Sequence, residues 1–299
     1  MPAKINKLSR VPRKRIPTKP LTVYLHTLAP SGRRSMASLL KGAVKCIDRG
    51  ACLDSFDWTS LGYEDLVKVR FRLTNKRLSF HSVNATLSAL KGVIKTCFNM
   101  GLLDADTMLR ACAVKLVKGE SLPAGKALVQ QETRLLLKTA NQGKGIIALR
   151  NRALLYVLID TGIRRDELVN LRLADYRPQT SELVVRHGKG NRQRVVSLSK
   201  PCACRLAQWI KQLEGSSPPI FSRIRKSQQL TDKPLSAQAV YNIVTELSKQ
   251  AGIGNCTPHD LRRTFITNQL EKGVDINRVS KMAGHCDITT TAIYDRRGY

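Results

Sequence analysis

The segment TPHDLRRTF, residues 257–265, concentrates groups that can hold an anion. Thr257 has the chemistry of a helix N-cap, Pro258 suits the first helical position and Asp260 the third, so together they predict a capping box that fixes where a helix starts. His259 and Arg262 then stand three apart on one face of the first turn, where backbone N–H groups and the helix dipole also favour negative charge. A histidine beside an arginine at a positive helix end has no evident packing use; a solvated surface histidine is the plain alternative. Three further stretches carry polar residues that local structure does not require. In DTGIRRDEL, Arg164 follows a glycine that ends an apolar run, and Glu167 comes three residues later; alone, the pair reads as exposed charge on a helical turn. In HGKGNRQRVV, Lys189 lies between two glycines that permit close approach of the backbone to another surface; alone, it reads as a solvated turn. In MAGHCDITTTAIYDRRGY, Gly284 ends a helix, His285 follows and Asp287 can cap a helix running through ITTTAIY. That helix would carry Tyr294, nine positions after His285, whereas Tyr299 has no helix to place it.

The elements that must position these groups are mostly helical. Residues 1–20 mix Lys and Arg with proline, carry no acid and predict a flexible basic arm. From 21 to 118, apolar residues recur at three and four positions, as in Met36, Leu39, Leu40, Val44 and Ile47, and again in Val83, Leu87, Leu90, Ile94 and Cys97. The second of these helices has Ser and Asn cap candidates in SFHSVN and a stop at Gly101, so the region reads as a helical bundle. VKGESLPAGKA, around 117–127, has two glycines and a proline between helical patterns and predicts a linker, placed at 119–126, with a second domain at 127–299. In that domain QQETRLLLKTA and RNRALLYVLIDTG read as helices. Leu183–Arg186 and Arg194–Leu198 then form a β-branched hairpin around a Gly-Lys-Gly-Asn turn, and helix returns from about 236. The expected fold class is mainly α with a small antiparallel sheet in the second domain.

Composition narrows the partner. The 299 residues include 51 Lys+Arg against 22 Asp+Glu, a formal charge of +29 that repels itself unless a polyanion neutralises it. Nucleic acid is the obvious polyanion, although charge alone does not separate DNA from RNA or an anionic membrane. The longest apolar stretch, ALLYVLI at 153–159, is far too short to span a bilayer, and the basic N-terminus has no apolar signal core, so a cytoplasmic chain is expected. Eight scattered cysteines in a chain of this size fit reduced thiols better than a disulfide framework. Cys202 with Cys204, and Cys256 with His259, lack the second pair a zinc site needs, so no metal and no cofactor is expected.

Taken together, Arg164 in TGIRRDEL, Lys189 in HGKGNRQRVVSL, His259 and Arg262 in HDLRRTFIT, and His285 with Tyr294 in GHCDITTTAIY resemble the active-site set of the tyrosine recombinases, the phage integrase family. Six residues in matching order, each in its expected local structure, carry the resemblance. It extends over most of the chain, since 21–118 resembles the helical core-binding domain that precedes the catalytic domain in Xer-type recombinases and integrases.

The resemblance implies an enzyme that cleaves and rejoins DNA strands through a 3′-phosphotyrosyl intermediate, as in integration or excision. Arg164 and Arg262 would clamp the non-bridging oxygens of the scissile phosphate, Tyr294 would attack it, and His259 would take the phenolic proton. His285 would donate to the same phosphate, Lys189 would protonate the departing 5′ oxygen, and Glu167 would support a basic neighbour. Implied partners are double-stranded DNA at specific recombination sites, clamped between the two domains, and further copies of the chain, as a dimer on one site and a tetramer in the synapse. Relatives continue past the tyrosine into a helix or strand that docks on a neighbouring protomer. Asp295 to Tyr299 is too short for such an element, so coupling is expected through the tyrosine helix or other surfaces, unless the sequence ends early. Two rival readings stay open at this stage: a type IB topoisomerase, which shares the covalent step but reseals the original strand, and a DNA-binding accessory protein that has lost the chemistry.

Overall fold

The computed structural model describes residues 19–119, 125–186, 193–213, 219–285 and 287–292. The expected basic arm therefore lies outside the described residues, as do most of the expected linker, the hairpin tip with Lys189, and Tyr294 with the residues around it. The chain divides into two compact units, Met1–Leu122 and Pro123–Tyr299.

In its described part the first unit is all helical: α1 (Pro20–Thr27), α2 (Pro30–Ile47), α3 (Tyr63–Asn75), α4 (Phe80–Asn99) and α5 (Ala105–Cys112), with a 3-10 turn at Trp58–Ser60. The three- and four-residue spacing of apolar side chains does what it predicts. Leu66, Val69 and Leu73 on α3 and Val83, Leu87, Leu90, Ile94 and Cys97 on α4 are buried in one core with Leu40, Ala43 and Val44 of α2. The caps are local chemistry: the Ser79 hydroxyl accepts from Ser82 N–H at the start of α4, and Asp104 accepts from Thr107 N–H at the start of α5. Gly101 takes a left-handed φ of 73° just past α4, the geometry that lets a helix stop without a Cβ clash.

The second unit is built on α7 (Gly145–Thr161), which packs against α6 (Gln130–Gln142), α9 (Lys200–Ile210) and α11 (Pro258–Glu271). Its apolar run is buried nearly all round, which is why it shows no single polar face. The remaining helices are α8 (Arg165–Val169), α10 (Ala237–Gln250), α12 (Ile276–Ala283) and the short α13 (Thr289–Ala292). The expected hairpin is present as β2 (Glu182–Val185) paired with β3 (Arg194–Ser197), Leu183 opposite Val196, and β1 (Tyr176–Arg177) adds a third antiparallel strand.

The single sheet expected from sequence is two. A second ribbon pairs β4 (Ser222–Ile224) with β5 (Leu230–Pro234). Its strands carry Arg223, Asp232 and Lys233 on exposed positions and end in a proline, so they lack the apolar alternation that marks a half-buried strand. A satellite core of Phe265, Ile266 and Leu270 from α11 with Val279 and Ala283 from α12 holds these two helices together. Each buried Phe, Ile, Leu or Val among them contributes roughly 1.5–3 kcal/mol relative to exposure.

Candidate active site

The start of α11 is the best-defined part of the site. Asp260 accepts from Thr257 N–H at 2.9 Å and from the Thr257 hydroxyl at 2.7 Å, while the threonine oxygen accepts from Asp260 N–H at 3.3 Å, which closes the capping box. The other Asp260 oxygen accepts from Lys126 N–H at 3.1 Å, and Thr264 accepts from Leu128 N–H at 2.8 Å. The described end of the expected linker is thus stitched to α11. With its start fixed, α11 carries Arg262 buried and His259 one turn before it, and the Arg262 guanidinium donates to the Gly162 carbonyl at 2.7 Å.

Gly162 itself ends α7 with φ 59°, and Arg164 follows as the N-cap residue of α8. The Arg164 backbone N–H donates to one oxygen of Glu167 at 2.9 Å and its guanidinium to the other at 2.9 Å. A second guanidinium nitrogen donates to the Gly284 carbonyl at 2.7 Å. Gly284 ends α12, also left-handed with φ 70°, and His285 is the next residue. The ring Nδ1 of His285 shares a 2.7 Å hydrogen bond with the hydroxyl of the buried Thr291 on α13.

These links bring Arg164, Glu167, His259, Arg262 and His285 into one region from three separate stretches of chain. Arg164, His259 and Arg262 line a cavity of about 370 Å³ with Arg165, Thr257 and Tyr241. Burial, followed by the charges of Arg263 and Arg262, lowers the pKa of His259. Burial, followed by Arg262 and Arg164, pushes His285 down to about 4. Both rings are therefore held neutral at physiological pH, among guanidinium groups that keep their charge. Burial alone would raise Glu167, but the hydrogen bonds and charges of Arg194 and Arg164 outweigh it and hold the carboxyl below its ordinary value. A cavity lined by Arg164, Arg165, Arg262 and the neutral imidazole of His259, with Asp166 as its one acid, suits a phosphate oxyanion that must be bound and approached by proton donors and acceptors.

One participant is invisible in the spacing of motifs. Arg194, the first residue of β3, donates to both Glu167 oxygens, at 3.1 and 2.6 Å, and its Nε donates to the Met282 carbonyl at 3.0 Å. The only hint in the sequence is a charged residue opening a strand whose partner strand is apolar. Lys189 and Tyr294 lie outside the described residues, so the structure gives no geometry for either. Among the described residues no group of three His, Cys, Asp or Glu side chains could hold a metal ion, and no helix is long and apolar enough to cross a membrane.

Residues 126–299 match the phage integrase family. The chain is similar to tyrosine recombinase XerA of Pyrococcus horikoshii, 32% identical over 234 residues that cover 78% of this chain and 75% of the relative. It is also similar to tyrosine recombinase XerD of Mycobacterium leprae, 32% identical over 263 residues covering 78% and 79%. Among solved structures, the Tn1549 transposon integrase in complex with transposon right end DNA matches with a TM-score of 0.69 at 17% identity, over 93% of this chain and 94% of the other. A lambda integrase dimer bound to a COC′ core site matches with a TM-score of 0.68 at 17% identity, over 93% and 95%. At such identities the structural likeness speaks for the fold.

Proposed function

This chain belongs to the phage integrase family, and from that premise we propose that it cuts and rejoins duplex DNA as a site-specific tyrosine recombinase. The observation that carries the residue roles is the cavity bounded by Arg164, His259 and Arg262, with His285 within electrostatic reach of all three.

A phosphodiester resists attack because its anionic oxygens repel a nucleophile and its leaving alkoxide is a strong base. Arg164 and Arg262 address the first difficulty by clamping the non-bridging oxygens. Guanidinium stays charged at any working pH and meets phosphate with two parallel donors. Removing either one should raise the barrier by roughly 3–4 kcal/mol, the scale of an oxyanion-hole donor. Tyr294 supplies the nucleophile: its oxygen forms the bond to phosphorus as the bond to the 5′ oxygen breaks. His259 takes the phenolic proton, and its lowered pKa keeps it in the unprotonated form a base requires. His285, whose Nδ1 shares a hydrogen bond with the Thr291 hydroxyl, donates to the same phosphate through Nε2 in the tautomer that carries its proton there. Lys189 gives its proton to the departing 5′ oxygen. Attack by a 5′ hydroxyl of another strand reverses each transfer, so the bond energy is kept in the phosphotyrosyl link and strand exchange needs no ATP.

In this reading Met1–Leu122 is the core-binding unit and Pro123–Tyr299 the catalytic one. Both meet double-stranded DNA, the active form is a dimer on each site and a tetramer in the synapse, and the work is done in the cytoplasm where that DNA lies. The charge of +29 supplies the attraction to the phosphate backbone. Nicked suicide DNA carrying candidate sites tests the proposal, because loss of the short fragment traps the covalent intermediate for denaturing electrophoresis. Wild-type protein should give an adduct and Tyr294→Phe none; an adduct with the phenylalanine variant, or no adduct from wild type on any site, would refute it.

A further inference from the structure

We propose that Arg194 is a positioning residue for cleavage, acting through Glu167 on Arg164; the proposal rests on the recombinase reading above. Glu167 is 5% exposed, and its carboxylate sits between two guanidinium groups. One oxygen accepts from Arg164 Nη1 and Arg194 Nη1, the other from the Arg164 backbone N–H and Arg194 Nη2. The two arginines differ in how they face solvent: the Arg164 side chain is 29% exposed and that of Arg194 is 12%. Arg164 lines the cavity, and Arg194 does not. All three guanidinium nitrogens of Arg194 donate to protein, two to Glu167 and Nε to the Met282 carbonyl. It is therefore a residue that holds other residues.

The charges show why it matters. Arg164 and Glu167 alone form a neutral pair, and a carboxylate with no other partner would draw the arginine to itself and cancel the charge the phosphate needs. Adding Arg194 makes the trio net positive and gives the carboxylate a second, fork-shaped partner. Arg164 is then oriented by Glu167 without being neutralised. The same guanidinium lies against Gly284, where a Cβ would come within 2.7 Å of Nη1, and it holds the carbonyl at the end of α12. The turn that accepts from Arg164 at Gly284 and then presents His285 is thus gripped from the Arg194 side as well.

The full-length protein is assayed on nicked suicide DNA with either an ordinary scissile phosphate or a methylphosphonate, in which one charged oxygen is replaced by methyl, and DNA affinity is measured in parallel by mobility shift. Arg194→Gln should slow adduct formation on phosphate by about 100-fold, the scale of a lost charge-stabilising donor, with the DNA Kd within about 3-fold. On methylphosphonate, which needs less charge compensation, the gap to wild type should close to within about 5-fold. Arg194→Lys keeps the charge and loses the fork, so it should fall by about 10-fold and be rescued likewise; it carries the test if the glutamine variant is unfolded by circular dichroism. Cleavage by Arg194→Gln at the wild-type rate would overturn the proposal, as would an equal defect on both substrates. Rescue only by a bridging 5′-phosphorothiolate, whose leaving group needs no acid, would overturn it too by moving the effect to the Lys189 hairpin. Parallel collapse of folding and cleavage in both variants would make Arg194 a fold residue alone. A wild-type protein that forms no adduct would instead refute the recombinase reading, so the two failures are distinct.

Discussion

Replacing Gly162 by alanine separates the backbone's contribution to the site from that of its side chains. Gly162 has φ 59°, and a Cβ built there would stand 2.5 Å from Cδ1 and 2.8 Å from Cγ of the buried Phe265 ring. Its carbonyl also accepts the 2.7 Å hydrogen bond that orients Arg262. The left-handed conformation should cost about 1 kcal/mol for any residue with a Cβ. Forcing a methyl against a packed ring adds roughly 1–3 kcal/mol, so Gly162→Ala should lose about 2–4 kcal/mol in urea unfolding. Relief of the overlap must move the 162 peptide or Phe265, both attached to the Arg262 anchor. A displacement on the order of 1 Å at a positioning group can slow a reaction up to about 100-fold, and cleavage of suicide DNA should fall by at least about 10-fold. Gly252→Ala is the control: Gly252 is also left-handed, at φ 69°, but nothing lies within 4 Å of its Cβ position. That variant should lose about 1 kcal/mol and cleave at the wild-type rate. If the two variants lost the same stability to within about 0.5 kcal/mol and cleaved alike, the Gly162 carbonyl would not be what holds Arg262.

The histidines predict a pH dependence of stability with a definite sign. His285 is held at about 4 against an ordinary 6.5, so the unfolded chain binds the proton first and stability is lost as pH falls from about 6.5 towards 4. At pH 5 the full shift would correspond to roughly 2 kcal/mol, and partial exposure of the ring reduces this to about 1 kcal/mol. Urea titrations at pH 7.5 and 5 should show a smaller loss for His285→Gln than for wild type, and equal losses would contradict the electrostatic environment described for the ring. Salt should weaken DNA binding steeply: with six to ten phosphate contacts, affinity falls by roughly 10³–10⁵ between 50 and 200 mM salt, and a flat salt response would show that the charge of +29 is not what binds DNA.

The parts of this site legible in sequence are those set by neighbours in the chain. The Thr257–Asp260 capping box, the glycine stops at 162 and 284 and the strand pairing of the 183–198 hairpin each depend on residues close together in the chain, and each is present. The polar ribbon at 222–234 was hidden because its strands are short and bury little on either face. Arg194 was hidden for another reason: its two partners, Glu167 and Met282, lie 27 and 88 residues away, and only the packing of β3 beside α8 and α12 brings them together.

If Arg164 and Arg262 clamp a phosphate as proposed, the same packing aims them before any phosphate arrives. A long cationic side chain has considerable rotamer entropy to lose on binding, on the order of 2 kcal/mol. Here much of that loss has already been taken in folding, because each clamp arginine donates to the carbonyl of a glycine that ends a helix: Arg262 to Gly162 at the end of α7, and Arg164 to Gly284 at the end of α12. A helix C-terminus carries partial negative charge and exposed carbonyls, so a guanidinium there satisfies the helix while the helix orients the guanidinium. Left-handed glycines are what turn the chain sharply enough to present those carbonyls inward. The two anchors also run in series, since Gly162 leads through Ile163 into Arg164 and Gly284 directly into His285. Tilting α7 or α12 would therefore move a clamp arginine and its neighbouring site residue together, which keeps their relative geometry fixed better than separate anchors would.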